Sequence, residues 1–190
     1  RTVEYSITGT WIAGTSEGVV FRSTDGGDSW TEITGVAAGT HRCLATDGTG
    51  TWLVGGASKV FKSYDDGLNW YLSSAAVGKT NGIEYNNGVW FLASDSTTSY
   101  RATTIAESDT TDTWSAVTGI SVPLWAICHI DGDTWMTAIK GRQPYLSTDN
   151  CASWSPVTSQ GNGQIMGLAS DGTTIVVTDK ASKIYTSTDN

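Results

Sequence analysis

Proline, histidine and cysteine are all scarce in this 190-residue sequence, at three, two and three residues. Two histidines, His41 and His129, leave little for a Ser-His or Cys-His nucleophile pair. Cys43, Cys128 and Cys151 give neither an even disulfide framework nor paired metal-ligand spacing. Cys43 and Cys128 fall in apolar strands and read as small buried side chains, whereas Cys151 falls in a turn and reads as exposed. Bases are outnumbered, with 11 Lys and Arg against 19 Asp and Glu and a net charge of -8. That balance speaks against nucleic-acid binding over the whole surface. No apolar run approaches the ~18 residues of a spanning helix, so membrane insertion is not expected, and no signal pattern opens the chain. The first residue is Arg1 rather than Met, so the chain reads as a processed product or a piece of a larger parent. Helix patterning is nearly absent, no phosphate-cradling glycine loop precedes one, and no cofactor is expected.

What is abundant is glycine (22), tryptophan (nine) and hydroxyl residues, the composition of short strands and tight turns with aromatic side chains supplying the buried area. One motif recurs: Ser23-Thr-Asp25-Gly-Gly27-Asp-Ser-Trp30, Ser63-Tyr-Asp65-Asp-Gly67-Leu-Asn-Trp70, Asp109 to Trp114, Ser147-Thr-Asp149-Asn-Cys151-Ala-Ser-Trp154, and Ser187-Thr-Asp189-Asn190. Its aspartates are 40, 44, 40 and 40 residues apart. A second series, Trp11, Trp52, Trp90 and Trp135, with Ile175 in the last copy, marks another strand of the same unit. An all-β period near 40 predicts a β-propeller-like fold: five antiparallel four-stranded blades in one domain, with the last blade incomplete. The blades divide at about 1-35, 36-74, 75-119, 120-159 and 160-190. In the second unit strands A to D run Arg42 to Thr46, Thr51 to Gly55, Lys59 to Ser63 and Asn69 to Leu72, punctuated by Asp47-Gly48, Gly55-Gly56 and Asp66-Gly67. Ser94 to Ser99 is an insertion between strands B and C of the third.

The Ser-x-Asp-x-Gly-x-x-Trp pattern resembles the Asp-box, or BNR, repeat of sialidases, sortilin-type receptors, photosystem assembly factors and phage proteins. The resemblance covers the whole chain. It implies a structural motif in the C-D hairpin, with the carboxylates of Asp25, Asp65, Asp109, Asp149 and Asp189 holding turn N-H groups and Trp30, Trp70, Trp114 and Trp154 plugging each hairpin into the core. The third copy departs from the pattern with Glu107 and Thr111, and the fourth with Cys151. Calcium binding by Asp25 with Asp28, or Asp109 with Asp112, matches no EF-hand spacing, so no metal site is assigned. The unfinished fifth unit leaves three routes to closure: a three-stranded last blade, a longer parent chain, or a second subunit forming a homo-oligomer.

In such a fold the D-A and B-C loops share one face and the A-B and C-D loops the other. The second face gathers most aspartates, including Asp28, Asp47, Asp66, Asp131, Asp133 and Asp171. The first gathers Arg42, Lys59, Lys79, Lys140, Arg142 and Lys180. Candidate ligand-binding residues on that basic face are His41, Arg42, Lys79, Asn81, Tyr100, Trp125, Arg142 and Gln164. Trp125 stands out because it belongs to neither tryptophan series. Sialidase-like catalysis would need an arginine cluster, for which only Arg42, Arg101 and Arg142 qualify, and a carboxylate pair drawn from Glu17, Glu84, Asp95 and Asp179. No motif locates such a set, so no catalytic residue is assigned. The D-A loops differ from blade to blade, against five equivalent sugar pockets. The expectation is a noncatalytic binding or assembly module for a glycan or a protein, extracellular or virion-associated by composition, with a sialidase-like hydrolase as the alternative.

Overall fold

The computed structural model describes residues 2–36, 39–75, 78–105, 112–139, 143–158 and 164–187. Val, Ile, Thr and aromatic residues in short runs, broken by glycines with positive φ such as Gly9, Gly48, Gly88, Gly132 and Gly172, fold into antiparallel meanders. The first sheet is β1 (Thr2–Tyr5), β2 (Trp11–Gly14), β3 (Val20–Ser23) and β4 (Thr31–Ile33). The second is β5 (His41–Thr46), β6 (Trp52–Gly56), β7 (Val60–Ser63) and β8 (Tyr71–Leu72). The third is β9 (Thr80–Asn86), β10 (Val89–Ser94), β11 (Tyr100–Ala102) and β12 (Ser115–Ala116). The fourth is β13 (Leu124–Asp131), β14 (Thr134–Ile139), β15 (Pro144–Ser147) and β16 (Ser155–Pro156); the fifth has three strands, β17 (Ile165–Ser170), β18 (Ile175–Asp179) and β19 (Ile184–Ser187). The outer strand of the second sheet is shorter than Asn69 to Leu72, because Asp65 engages Asn69 in the turn.

The first strand of each sheet packs against that of the next: β1 on β5, β5 on β9, β9 on β13 and β13 on β17. No packing of comparable extent returns from β17 to β1 among the described residues. Apolar side chains remain exposed in the first blade (Val3, Tyr5, Trp30) and in the fifth (Met166, Ile184). The core is a series of clusters between neighbouring blades rather than one centre. Ile12 and Val20 pack with Leu44, Trp52 and Trp70; Val89 and Phe91 pack with Trp135, Cys151 and Trp154.

The recurring turn is a closed hydrogen-bond unit. In the first blade the Ser23 hydroxyl donates to Asp25 Oδ1 at 2.7 Å, Ser29 N-H donates to the same oxygen at 3.0 Å, and Gly27 N-H donates to Ser23 Oγ at 3.0 Å. Bonds from the Ser29 hydroxyl and N-H, then from Ser23, hold the Asp25 carboxyl down to about 2. Asp65 and Asp149 repeat the arrangement. Asp109 and Asp189 lie outside the described residues, as do Glu107 and Thr111.

The residue after that aspartate ties blades together. Asp66 and Asn150 both sit at positive φ, where they accept the indole N-H of Trp52 (3.1 Å) and Trp135 (3.0 Å). Asp66 also accepts the hydroxyls of Thr8 and Thr10 from the preceding blade, and Asn150 Nδ2 donates to Asn87 O. Strand C cations complete the joint. Arg22 Nε donates to Asp66 O at 2.7 Å, and Lys62 Nζ lies 2.7 Å from Asp112 Oδ1.

Two expectations need correction. Cys151 is fully buried, because its position in the turn points at the preceding blade; a Cβ at the equivalent Gly67 would stand 2.6 Å from Ile12 Cδ1. The tryptophan plug holds for Trp70 and Trp154 but not for Trp30, which is 40% exposed. The Asp112 carboxylate accepts from Lys62, the Ser73 hydroxyl and the Ser74 N-H. Cys43 and Cys128 are buried as expected, and burial pushes both thiols up to about 12.

Candidate functional site

Each inner strand starts on the D-A face, and there the ladder is broken in the same way four times. His41 pairs with Gly56 and Cys43 with Gly55, which leaves Arg42 as an extra residue. Thr80 pairs with Ser94 and Gly82 with Ala93, leaving Asn81; Leu124 pairs with Ile139 and Ala126 with Ala138, leaving Trp125. Ile165 pairs with Asp179 and Gly167 with Thr178, leaving Met166. A β-bulge re-aims its extra side chain, and bulges concentrate beside sites. The repeat therefore places Arg42, Asn81, Trp125 and Met166 at equivalent positions on one face.

These four residues differ in chemistry. Arg42 is half-buried, and its Nε makes no hydrogen bond among the described residues. Asn81 Nδ2 donates to Leu124 O at 2.8 Å, so one bulge braces the next. Trp125 is half-buried, with Lys79 Nζ 6.0 Å from its ring centroid. Lys79 in turn pairs with Asp95 Oδ2 at 2.8 Å and accepts the Asp95 N-H through its carbonyl. Asp95 sits in the B-C insertion, which the hydroxyls of Ser94, Ser96 and Ser99 hold in shape. A partly exposed ion pair of this kind contributes ~0–1 kcal/mol, and the cation over the indole ~0.5–1 kcal/mol. Their effect is to orient Trp125 rather than to stabilise the fold.

Other expected site residues are placed differently. His41 is buried, with Nε2 3.1 Å from Gly18 O; burial lowers its pKa against the opposing effect of that bond. It packs between the first and second blades, against Gly14. Tyr100 packs against the cluster between the second and third blades. The Gln164 carbonyl accepts the Lys180 N-H at 2.8 Å. Arg142 and Lys140 lie outside the described residues. Arg101 sits in β11 with Nε buried and without a hydrogen-bond partner among the described residues, and its charge acts on Cys151 of the fourth blade; it stands at the same strand C position as Arg22 and Lys62. Asp179 is engaged by the Lys183 N-H and the Tyr185 hydroxyl. Among the described residues no group of three or more His, Cys, Asp or Glu is placed to hold a metal ion.

Two features escaped the sequence. Met166 is 44% exposed at a bulge position, and only alignment of the inner strands singles it out. A hollow of about 360 Å³ opens at the opposite, A-B end, lined by Glu4, Tyr5, Ile7, Asp47, Glu84 and Tyr85 among others. A smaller one of about 50 Å³ lies beside His41 and Lys59 on the D-A and B-C face.

Burial pushes the Glu84 carboxyl up to about 7, against a bond from the His129 N-H and with the charge of Glu4 adding to the rise. The folded chain thus holds this proton more tightly than the unfolded chain, whose midpoint is 4.5. Stability is lost as pH rises from 4.5 through 7 and is level above. Glu84→Gln is expected to leave stability unchanged near pH 4 and to raise it by about 3 kcal/mol at pH 8, read by urea unfolding at both values.

No protein-family model matches the chain, and no curated protein matches it in sequence. Solved structures match it throughout. YCF48 from Cyanidioschyzon merolae superposes with a TM-score of 0.75 at 13% identity, over 99% of this chain and 66% of that one. YCF48 bound to D1 peptide gives 0.67 at 14% identity over 97% and 66%, and the WD40 β-propeller domain of Doa1 gives 0.69 at 17% over 94% and 61%. The chain spans under two thirds of each. Its fold is that of a β-propeller, all-β, with five blades described and the last three-stranded.

Proposed function

We propose that the chain is a noncatalytic recognition module of the Asp-box type, and that it engages an extended polypeptide across the bulge face. The recurring bulge that presents Arg42, Asn81, Trp125 and Met166 carries this reading. An indole, a guanidinium, an amide and a thioether on one rim suit the mixed chemistry of a peptide, and Trp and Arg are the side chains that most often anchor such contacts. Four different groups at four equivalent positions suit a repeated sugar less well. The structure of YCF48 bound to D1 peptide gives a precedent for a peptide partner on this fold.

The test is a peptide array probed with the purified chain, followed by calorimetry on the best peptide with Trp125→Ala. A loss of about tenfold or more is expected, as for a central aromatic anchor. Binding indifferent to Trp125 would move the site elsewhere. Saturable binding on a glycan array with none on peptides would make the partner a glycan, and turnover of fluorogenic glycosides would make the chain a hydrolase.

A further inference from the structure

The hollow at the A-B end differs from the bulge face in every respect. Its walls carry three carboxylates, Glu4, Asp47 and Glu84, and no Lys or Arg. Two tyrosines line it, each fixed by a neighbouring indole: Tyr5 lies 4.8 Å from Trp11 and Tyr85 lies 4.7 Å from Trp90, centroid to centroid. Ile7, at its rim, is 83% exposed. Glu84 Oε1 accepts the His129 N-H at 2.9 Å, and Glu4 Oε1 accepts the Tyr5 N-H at 3.0 Å. The second oxygen of each accepts nothing among the described residues, and neither carboxylate has a cationic partner there.

A partly buried carboxylate beside a second one, with no cation to pair either, is an unfavourable arrangement that a bound cation relieves. The volume lies within the range of organic ligand sites and is large for a bare ion, and only two of the carboxylates belong to inner strands. Aromatic faces and an apolar rim add a preference for a planar, weakly hydrated cation on an aliphatic stem. A guanidinium stacks on tyrosine and offers parallel N-H groups to a carboxylate, and its stem covers apolar surface. We infer that this hollow binds the guanidinium of an arginine side chain presented by a polypeptide partner, with Glu84 and Glu4 as its acceptors and Tyr5 and Tyr85 as its stacking faces. The site is independent of the platform around Trp125.

The experiment uses an acetylated, amidated Ala-Leu-Arg-Leu-Ala peptide and the same peptide with citrulline, the neutral isostere, in place of arginine. The readout is the amide resonance of His129, whose proton is bonded to Glu84, during titration at pH 8. The arginine peptide is expected to shift it saturably, the citrulline peptide at least tenfold more weakly. Glu84→Gln, which removes the charge yet keeps an acceptor for His129, is expected to bring the arginine peptide down to the citrulline level. Trp125→Ala is expected to leave the titration unchanged, which separates this site from the other face. Equal binding of the two peptides, full binding by Glu84→Gln, or no shift at millimolar peptide would overturn the assignment.

Discussion

Lys62→Met is expected to destabilise the chain by about 3–5 kcal/mol, because it removes one partner of a fully buried ion pair and leaves the other charged. Lys62 Nζ and Asp112 Oδ1 are 2.7 Å apart, and both side chains have no exposure. The remaining oxygen of Asp112 accepts the Ser73 hydroxyl at 2.6 Å and the Ser74 N-H at 3.2 Å, and Ser73 Oγ accepts the Trp114 indole N-H. The polar part of the joint between the second and third blades centres on this one carboxylate. Burial raises its pKa, but the bonds from Lys62 and Ser73 and the lysine charge outweigh that, so the net direction is down. Its folded midpoint lies below the unfolded one, so this contribution is present above pH 3.8 and is lost as pH falls further. The double variant Lys62→Met with Asp112→Asn removes both charges while keeping an acceptor for Ser73 and Ser74. It is expected to recover more than half of the loss in urea unfolding at pH 7. A single variant costing under about 1 kcal/mol would mean that Asp112 finds water or another donor once Lys62 is gone.

The repeat made the blades legible from the sequence, because every strand recurs with its turn and its tryptophan. The joints between blades were not legible in the same way. Arg22, Lys62 and Arg101 occupy one strand C position, yet the roles of the first two depend on residues a whole unit later, Asp66 and Asp112. Cys151 looks like a turn residue in its own hairpin and becomes a core residue only when the preceding blade is in place. For the proposed site, the sequence named Arg42, Asn81 and Trp125 through their loops but passed over Met166, one residue inside β17. A bulge is a fault in strand pairing, so it appears in the register of two strands and not in either alone. The cavity around Glu84 and Glu4 is harder still, since those residues come from blades one and three, 80 positions apart.

Trp70→Ala and Trp30→Ala form a matched pair whose difference measures packing between blades. Both indoles close the same turn, with Nε1 donating to the carbonyl of Gly67 or Gly27 at 3.0 Å. Trp70 is 8% exposed and packs with Ile12 and Val20 of the first blade and with Leu44, Trp52, Val54 and Phe61 of its own, whereas Trp30 is 40% exposed. The turn bond cancels in the comparison. Trp70→Ala is expected to cost about 3–5 kcal/mol, the range for emptying a large aromatic site that cannot collapse. Trp30→Ala is expected to cost about 1–2 kcal/mol, in keeping with its smaller buried area. Chemical unfolding of the two variants under one condition decides the matter. Equal losses would place the tryptophan's contribution within its own hairpin, and the arc of blades would then have to be held by the polar joints at Asp66, Asp112 and Asn150 instead.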